Sequence, residues 1–201
     1  MPAPAALRAF IAVELPAGLR DQLAQVIARL GQLLPAGVRW VRPEGIHLTL
    51  KFLGDTPLAQ INQVKSVIVA AALEVAPFEC RVEGLGCFPD QSRPRVVWVG
   101  LHEPSGALHQ LQQAIEAGTA RLGYAREAAN RGFHPHLTLG RVGREVRGSQ
   151  ARAVGDIVCA AGASDLGAFR ADVVTLMRSS LQPGGAVYSR LYEARLGEAS
   201  S

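Results

Sequence analysis

His47-Leu48-Thr49-Leu50 and His136-Leu137-Thr138-Leu139 are the same tetrapeptide, 89 residues apart. Four matching residues carry weight only if their surroundings repeat as well, and here they do. Ahead of the first copy, Leu7 to Leu15 reads as a strand. A helix follows with Leu19, Leu23, Val26, Ile27, Leu30 and Leu34 on one stripe, stopped by Pro35-Ala36-Gly37. Ahead of the second copy, Arg95 to Leu101 reads as a strand. Its helix turns Leu108, Leu111, Ile115 and Leu122 inward and ends near Gly123. Another helix is expected behind each tetrapeptide. The first takes Thr56 as N-cap and Pro57 as its first residue, with Leu58, Ile61, Val64 and Ile68 inward. The second runs from about Ser149 to Ala161, with Val154, Ile157 and Val158 inward. Each unit then closes on a strand that opens with phenylalanine, Phe78 to Phe88 and Phe169 to Leu181, and a last strand, Val187 to Leu196, follows the Pro183-Gly184-Gly185 turn. The expectation is a single domain over residues 5–197, built of two βαβαβ units at about 7–90 and 94–197 with one strand added. The loops Asp90 to Pro94 and Gly143 to Gly148 are candidate mobile segments.

Side chains alternate faces along a strand. Leu48 and Leu50 therefore point to the core with Ile46 and Phe52, while His47, Thr49 and Lys51 share the other face. In the second copy Leu137 and Leu139 go inward, and His134, His136 and Thr138 face out together. Each strand presents an imidazole and a hydroxyl about 7 Å apart. A duplicated fold with pseudo-twofold symmetry brings both faces together across a cleft. Two imidazoles there can act as general base and general acid on opposite sides of a phosphorus. Two hydroxyls can donate to the non-bridging oxygens as charge builds in the transition state. One His-x-Thr alone reads as an ordinary strand; two copies at the same place of an internal repeat read as a site. His102 and His109 lie outside the repeat and read as surface residues.

The 201 residues are 48% apolar and 19% charged, with a mean hydropathy of +0.14. Such a chain can bury a sizeable core, and disorder is excluded. The apolar run Phe10 to Val13 is cut by Glu14, far short of a membrane span, and Met1 to Phe10 does not read as a secretory leader. The net charge of +4 suits a local basic site rather than a coat along nucleic acid. Cys80, Cys87 and Cys159 are odd in number and lack metal-type spacing, which predicts reduced thiols and a cytoplasmic protein. No GxSxG elbow, phosphate-cradling GxxxxGK or HExxH is present.

Two other readings compete. His134 and His136 are spaced as a zinc-binding pair can be, with His47 as a third ligand; the paired threonines argue against it, since a zinc site has no need of them. A non-catalytic RNA-binding module would offer exposed aromatics for stacking. Aromatics are only 5% here, and Trp40, Trp98 and Phe133 read first as core or cleft wall.

Over nearly its whole length the chain resembles the 2H phosphoesterase superfamily, specifically the RNA 2′,3′-cyclic phosphodiesterases also called 2′-5′ RNA ligases. The resemblance lies in Arg8-Ala9-Phe10-Ile11-Ala12-Val13-Glu14-Leu15-Pro16, in Trp40-Val41-Arg42-Pro43 leading to His47 through Gly54, and in Phe133-His134-Pro135-His136-Leu137-Thr138-Leu139-Gly140-Arg141. Arg95-Val96-Val97-Trp98-Val99-Gly100 and Gly185-Ala186-Val187-Tyr188 fit as well. It implies a bilobal α+β fold in which two antiparallel sheets line a central cleft with helices outside. It also implies a monomer that needs no metal or other cofactor and hydrolyses RNA 2′,3′-cyclic phosphate ends, as on tRNA fragments, to 2′-phosphates, with reversible 2′-5′ ligation. His47 would donate a proton to the leaving ribose 3′-oxygen and His136 would activate water. Thr49 and Thr138 would bind the phosphate, assisted by Arg141. Alternation points Arg141 away from Thr138 unless Gly140 bends the chain.

Overall fold

A computed structural model describes residues 6–34, 36–126, 132–162, 165–182 and 185–198. Pro35 and Pro183-Gly184, the helix stop and part of the turn expected from the sequence, lie outside them. The elements run β1 (Ala6–Glu14), α1 (Ala17–Leu33), β2 (Val38–Trp40), β3 (His47–Pro57), α2 (Ile61–Leu73), β4 (Phe78–Phe88), β5 (Val96–His102), α3 (Ala107–Arg121), β6 (His136–Val142), α4 (Gly148–Ala161), β7 (Ala168–Ala171), β8 (Val173–Gln182) and β9 (Gly185–Arg195). The strands pair antiparallel in the order β7-β4-β5-β6-β3-β1-β8-β9, with β2 added on β6, and the sheet curls into a half-barrel. The two expected sheets meet edge to edge through a bridge pair, Leu48 on β3 with Leu137 on β6.

The helices α1 to α4 cover one face. Ile11, Leu48, Leu50, Val97, Val99, Leu137, Leu139, Val174 and Leu176 of the strands are buried there with Leu23 and Leu30 of α1, Val64 and Ile68 of α2, Leu108, Leu111 and Ile115 of α3, and Val154 and Val158 of α4. Each such side chain contributes roughly 1.5–3 kcal/mol by leaving water. The opposite face is left open. Among the described residues no helix is long and apolar enough to cross a membrane.

The strand expected over Phe169 to Leu181 is broken at Asp172. Its first part, β7, pairs with β4, and its second part, β8, pairs with β1. The chain crosses there from one half of the sheet to the other, so each half takes strands from both sequence units. The helix expected to start at Thr56-Pro57 also begins later. β3 stays paired with β1 as far as Pro57, a 3₁₀ turn covers Leu58–Gln60, and α2 starts at Ile61. Thr56 is buried, and its hydroxyl donates to the Gly54 carbonyl at 3.2 Å instead of capping a helix.

Bulges overturn simple alternation at two related places. Against β1, Ala12 pairs with Thr49 but Ile11 pairs with Lys51, so Leu50 is an extra residue in β3. Lys51 consequently turns into the core, 2% exposed, and Phe52 turns to the open face, 60% exposed, the reverse of the sequence expectation for both. The buried Lys51 Nζ donates to Glu116 Oε1 at 2.7 Å and to the Ala125 carbonyl at 2.6 Å. Leu139 is the matching extra residue of β6, since Trp98 pairs with Thr138 but Val97 pairs with Gly140. The loops expected to be mobile carry ties to the body: Arg95 Nη1 donates to the Gly143 carbonyl at 2.8 Å, and Gln91 Nε2 to Asp156 of α4 at 2.7 Å.

Candidate active site

The open face is organised around the Leu48–Leu137 pair. Both leucines point into the core. One step to either side, the antiparallel register sets His47 opposite Thr138 and Thr49 opposite His136, all four half-buried on the open face. The structure thus brings together the two histidines and two threonines singled out from the sequence.

Both imidazoles are anchored in the same way. His47 Nδ1 bonds the carbonyl of Gly45 at 2.9 Å, and His136 Nδ1 bonds the carbonyl of His134 at 2.7 Å. A carbonyl only accepts, so each Nδ1 carries a hydrogen. Nε2 is then the nitrogen of each ring that gains or loses a proton. Aromatic rings fix the planes. Phe10 stacks on His47 with centroids 4.6 Å apart, and Tyr188 meets it edge-on at 5.1 Å. Phe88 meets His136 edge-on at 4.9 Å. Gly45 permits the first arrangement, because a Cβ there would lie 3.3 Å from the Tyr188 ring. Burial holds the His47 imidazole down at about 4, opposed by the Gly45 hydrogen bond and by the Glu14 carboxylate. His47 is therefore neutral at neutral pH.

The bulge at Leu139 decides where Arg141 goes. It pairs with Val96, while Trp98 pairs with Thr138, so Arg141 is exposed on the same face as Thr138 and His136. Gly140 itself makes room for Trp40, which would lie 2.8 Å from a Cβ at that position. Trp40 is half-buried against the core, as expected. Trp98 forms a wall of the open face beside Phe88, 5.1 Å away, and its ring lies over Gly86. His134 is exposed, with its ring 6.5 Å from Phe88. Among the described residues no three His, Cys, Asp or Glu side chains are grouped to hold a metal ion.

Several residues at the site escape the sequence reading. Arg39 of β2 pairs with Arg141 across the ladder and is exposed beside it. Glu14 pairs with His47 across β1 and β3. Phe10, Tyr188 and Phe88 hold the imidazoles. Glu14, Phe10 and Tyr188 stand in the stretches that carry the family resemblance, but only the strand register shows what they face.

The family model described as LigT like Phosphoesterase matches this chain twice, over residues 13–98 and 99–188. A protein of Methanothermobacter thermautotrophicus named RNA 2′,3′-cyclic phosphodiesterase is 34% identical over 191 residues, covering 94% of this chain and 99% of the relative. One of Archaeoglobus fulgidus with the same name is 31% identical over 185 residues, covering 92% and 98%. Among solved structures, Escherichia coli LigT complexed with 3′-AMP superposes with a TM-score of 0.75 at 27% identity, covering 96% of this chain and all of LigT. A Thermus thermophilus protein gives 0.76 at 26% identity, covering 95% and 98%.

Proposed function

The chain belongs to the LigT-like phosphoesterase family, and from that membership we propose that it hydrolyses the 2′,3′-cyclic phosphate ends of RNA to 2′-phosphates without a metal ion. The observation that carries the reading is the matched anchoring of His47 and His136 through Nδ1 on either side of the Leu48–Leu137 pair, each with a threonine across from it.

In the proposed reaction a water attacks phosphorus while His136 Nε2 takes one of its protons. The bond from phosphorus to the ribose 3′-oxygen breaks, and His47 Nε2 delivers a proton to that oxygen. A 2′-phosphomonoester and a free 3′-hydroxyl result, and proton exchange with solvent returns both rings to their starting states. Thr49 and Thr138 donate to the non-bridging oxygens, where negative charge builds. Arg141 offers a guanidinium fork from the same face. His47 must be protonated to donate. The anionic phosphate of the substrate helps here, because a negative charge at contact distance favours the charged imidazole against the burial that holds it at about 4. Run in the same direction with a 5′-hydroxyl in place of water, the same groups would join two RNAs through a 2′-5′ bond and release the 3′-hydroxyl. The proposal includes action as a monomer on ends such as those of tRNA fragments.

The test is to incubate the protein and a chelator with an RNA ending in a 2′,3′-cyclic phosphate and to map the product. A 2′-phosphate formed at an unchanged rate is expected. Activity that vanishes with chelator and returns with zinc would favour a metal site using His47, His134 and His136. Binding without turnover would favour a non-catalytic RNA-binding module.

A further inference from the structure

The duplication makes the two histidines alike within their own strands, so the strands themselves give no reason for one to donate and the other to accept. One difference is the residue across from each. His47 pairs with Glu14 on β1, whereas His136 pairs with Gly100 on β5. These positions are counterparts: Ala12 and Trp98 pair with the two threonines, Phe10 and Val96 pair with Phe52 and Arg141, and each couple is 86 residues apart, as Glu14 and Gly100 are. One unit therefore has a carboxylate where the other has bare backbone. The bare position is built in, since a Cβ at Gly100 would lie 2.8 Å from the Glu83 carbonyl oxygen.

The carboxylate is also held. Arg190 of β9 grips Glu14 with both arms of its guanidinium, Nε to Oε1 at 2.6 Å and Nη2 to Oε2 at 3.0 Å. Arg190 stands two residues from Tyr188, whose ring packs on His47. Its own positive charge offsets part of the effect of Glu14. However, the Arg190 side chain is 61% exposed against 25% for Glu14, so water screens the guanidinium more.

We propose that Glu14, pinned by Arg190, is the positioning residue that favours the proton on His47 and so supports the donor role on its side of the phosphorus. The proposal rests on the hydrolase reading above. Among the described residues, other charged or titratable groups on the elements next to His47 are Tyr188, whose ring meets it edge-on, and Glu193 of β9, Arg42 and Glu44 at the Pro43–Gly45 turn before it, and His136 and Arg141 of β6. Glu14 is the one directly across the ladder. Burial against Phe10 and Tyr188 works against a charged His47, and Glu14 works for it. A bound phosphate adds to the effect of Glu14.

The experiment is an NMR titration of labelled histidine in wild type, Glu14→Gln and Arg190→Gln, with and without inorganic phosphate, using His47→Ala to assign the His47 signal. Glu14→Gln is expected to lower the His47 midpoint by roughly half to one pH unit and to leave His136 in place. Arg190→Gln keeps the carboxylate and is expected to leave the His47 midpoint at or above the wild-type value. Loss of a merely structural pair would move both variants the same way, and that result overturns the proposal, as does an unmoved midpoint in Glu14→Gln. With cyclic-phosphate RNA, Glu14→Gln should lower kcat about three- to tenfold, the equivalent of half to one pH unit. Glu14→Asp should recover part of the loss. On a substrate with an aryl leaving group, which needs little acid, the loss should nearly vanish; a full loss there overturns the donor assignment. The titration needs no turnover, so a shifted midpoint in a protein that hydrolyses neither substrate would sink the hydrolase reading and the donor role with it. Normal hydrolysis with an unmoved midpoint would sink only the role of Glu14.

Discussion

Leu48 and Leu137 are counterparts in the sequence repeat and partners across the sheet, joined by the bridge that links β3 to β6. The pseudo-twofold axis relating the two units therefore passes between them. Whatever stands one residue away on the open face occurs twice around that axis, as His47 and His136, and as Thr49 and Thr138. A duplicated strand meeting its own copy in this way puts an imidazole and a hydroxyl on each side of the axis, the arrangement that the proposed displacement at phosphorus uses.

Replacing either histidine by alanine should lower turnover by about 10² to 10⁴-fold, the usual contribution of a general acid or base. Both side chains lie on the open face, so circular dichroism should stay unchanged. Near-normal rates in either variant would remove that histidine from the mechanism.

Thr49→Val and Thr138→Val keep the side-chain shape and delete one donor each. Each should cost roughly 2–4 kcal/mol of transition-state stabilisation, read from kcat/KM. Equal rates for wild type and the double variant would refute the phosphate cradle.

The two histidines should separate by leaving group. On a substrate whose leaving group needs no proton, His47→Ala should regain much of its lost rate and His136→Ala should not. Recovery in His136→Ala instead would exchange their roles. The pH–rate curve for RNA should rise and fall, and its limbs belong to the coupled pair.

His47 also couples stability to pH. Its imidazole is held at about 4 in the folded chain against an unfolded value near 6.5. The unfolded chain then takes up the proton first as pH falls. Stability present above about 6.5 should be lost progressively down to about 4, by up to ~3 kcal/mol before solvent screening reduces it. Urea titrations at pH 7 and pH 4.5 should show a smaller difference in His47→Gln than in wild type. An identical difference would mean that the ring is not desolvated.

Lys51→Met should destabilise the fold. It removes the cation from a buried ion pair with Glu116, a change that costs about 3–5 kcal/mol and lowers Tm by more than about 6 °C. Adding Glu116→Leu should recover much of the loss, because the double variant removes both charges of the pair. A single variant as stable as wild type would show that the ion pair contributes nothing.

Much of this protein follows from local pattern. The repeated His-Leu-Thr-Leu, the apolar stripes of α1 to α4 and the strands around them are properties of short stretches, and period alone separates helix from strand in them. The same tetrapeptides place both histidines and both threonines on the face away from the core. Pairing between distant strands decided the rest. The extra residue at Leu50 sends Lys51 inward and Phe52 outward, and its counterpart at Leu139 brings Arg141 round to Thr138; a bulge exists only relative to a partner strand, so alternation along one strand is silent about it. Thr56 carries the marks of a helix cap, yet Leu7 claims it for the sheet. Asp172 breaks a continuous β pattern because the chain must reach the other half of the sheet there. Glu14 reads as the polar end of a strand until the register sets it across from His47. Local sequence determines which residues face away from the core, and only the tertiary ladder decides which of them face each other.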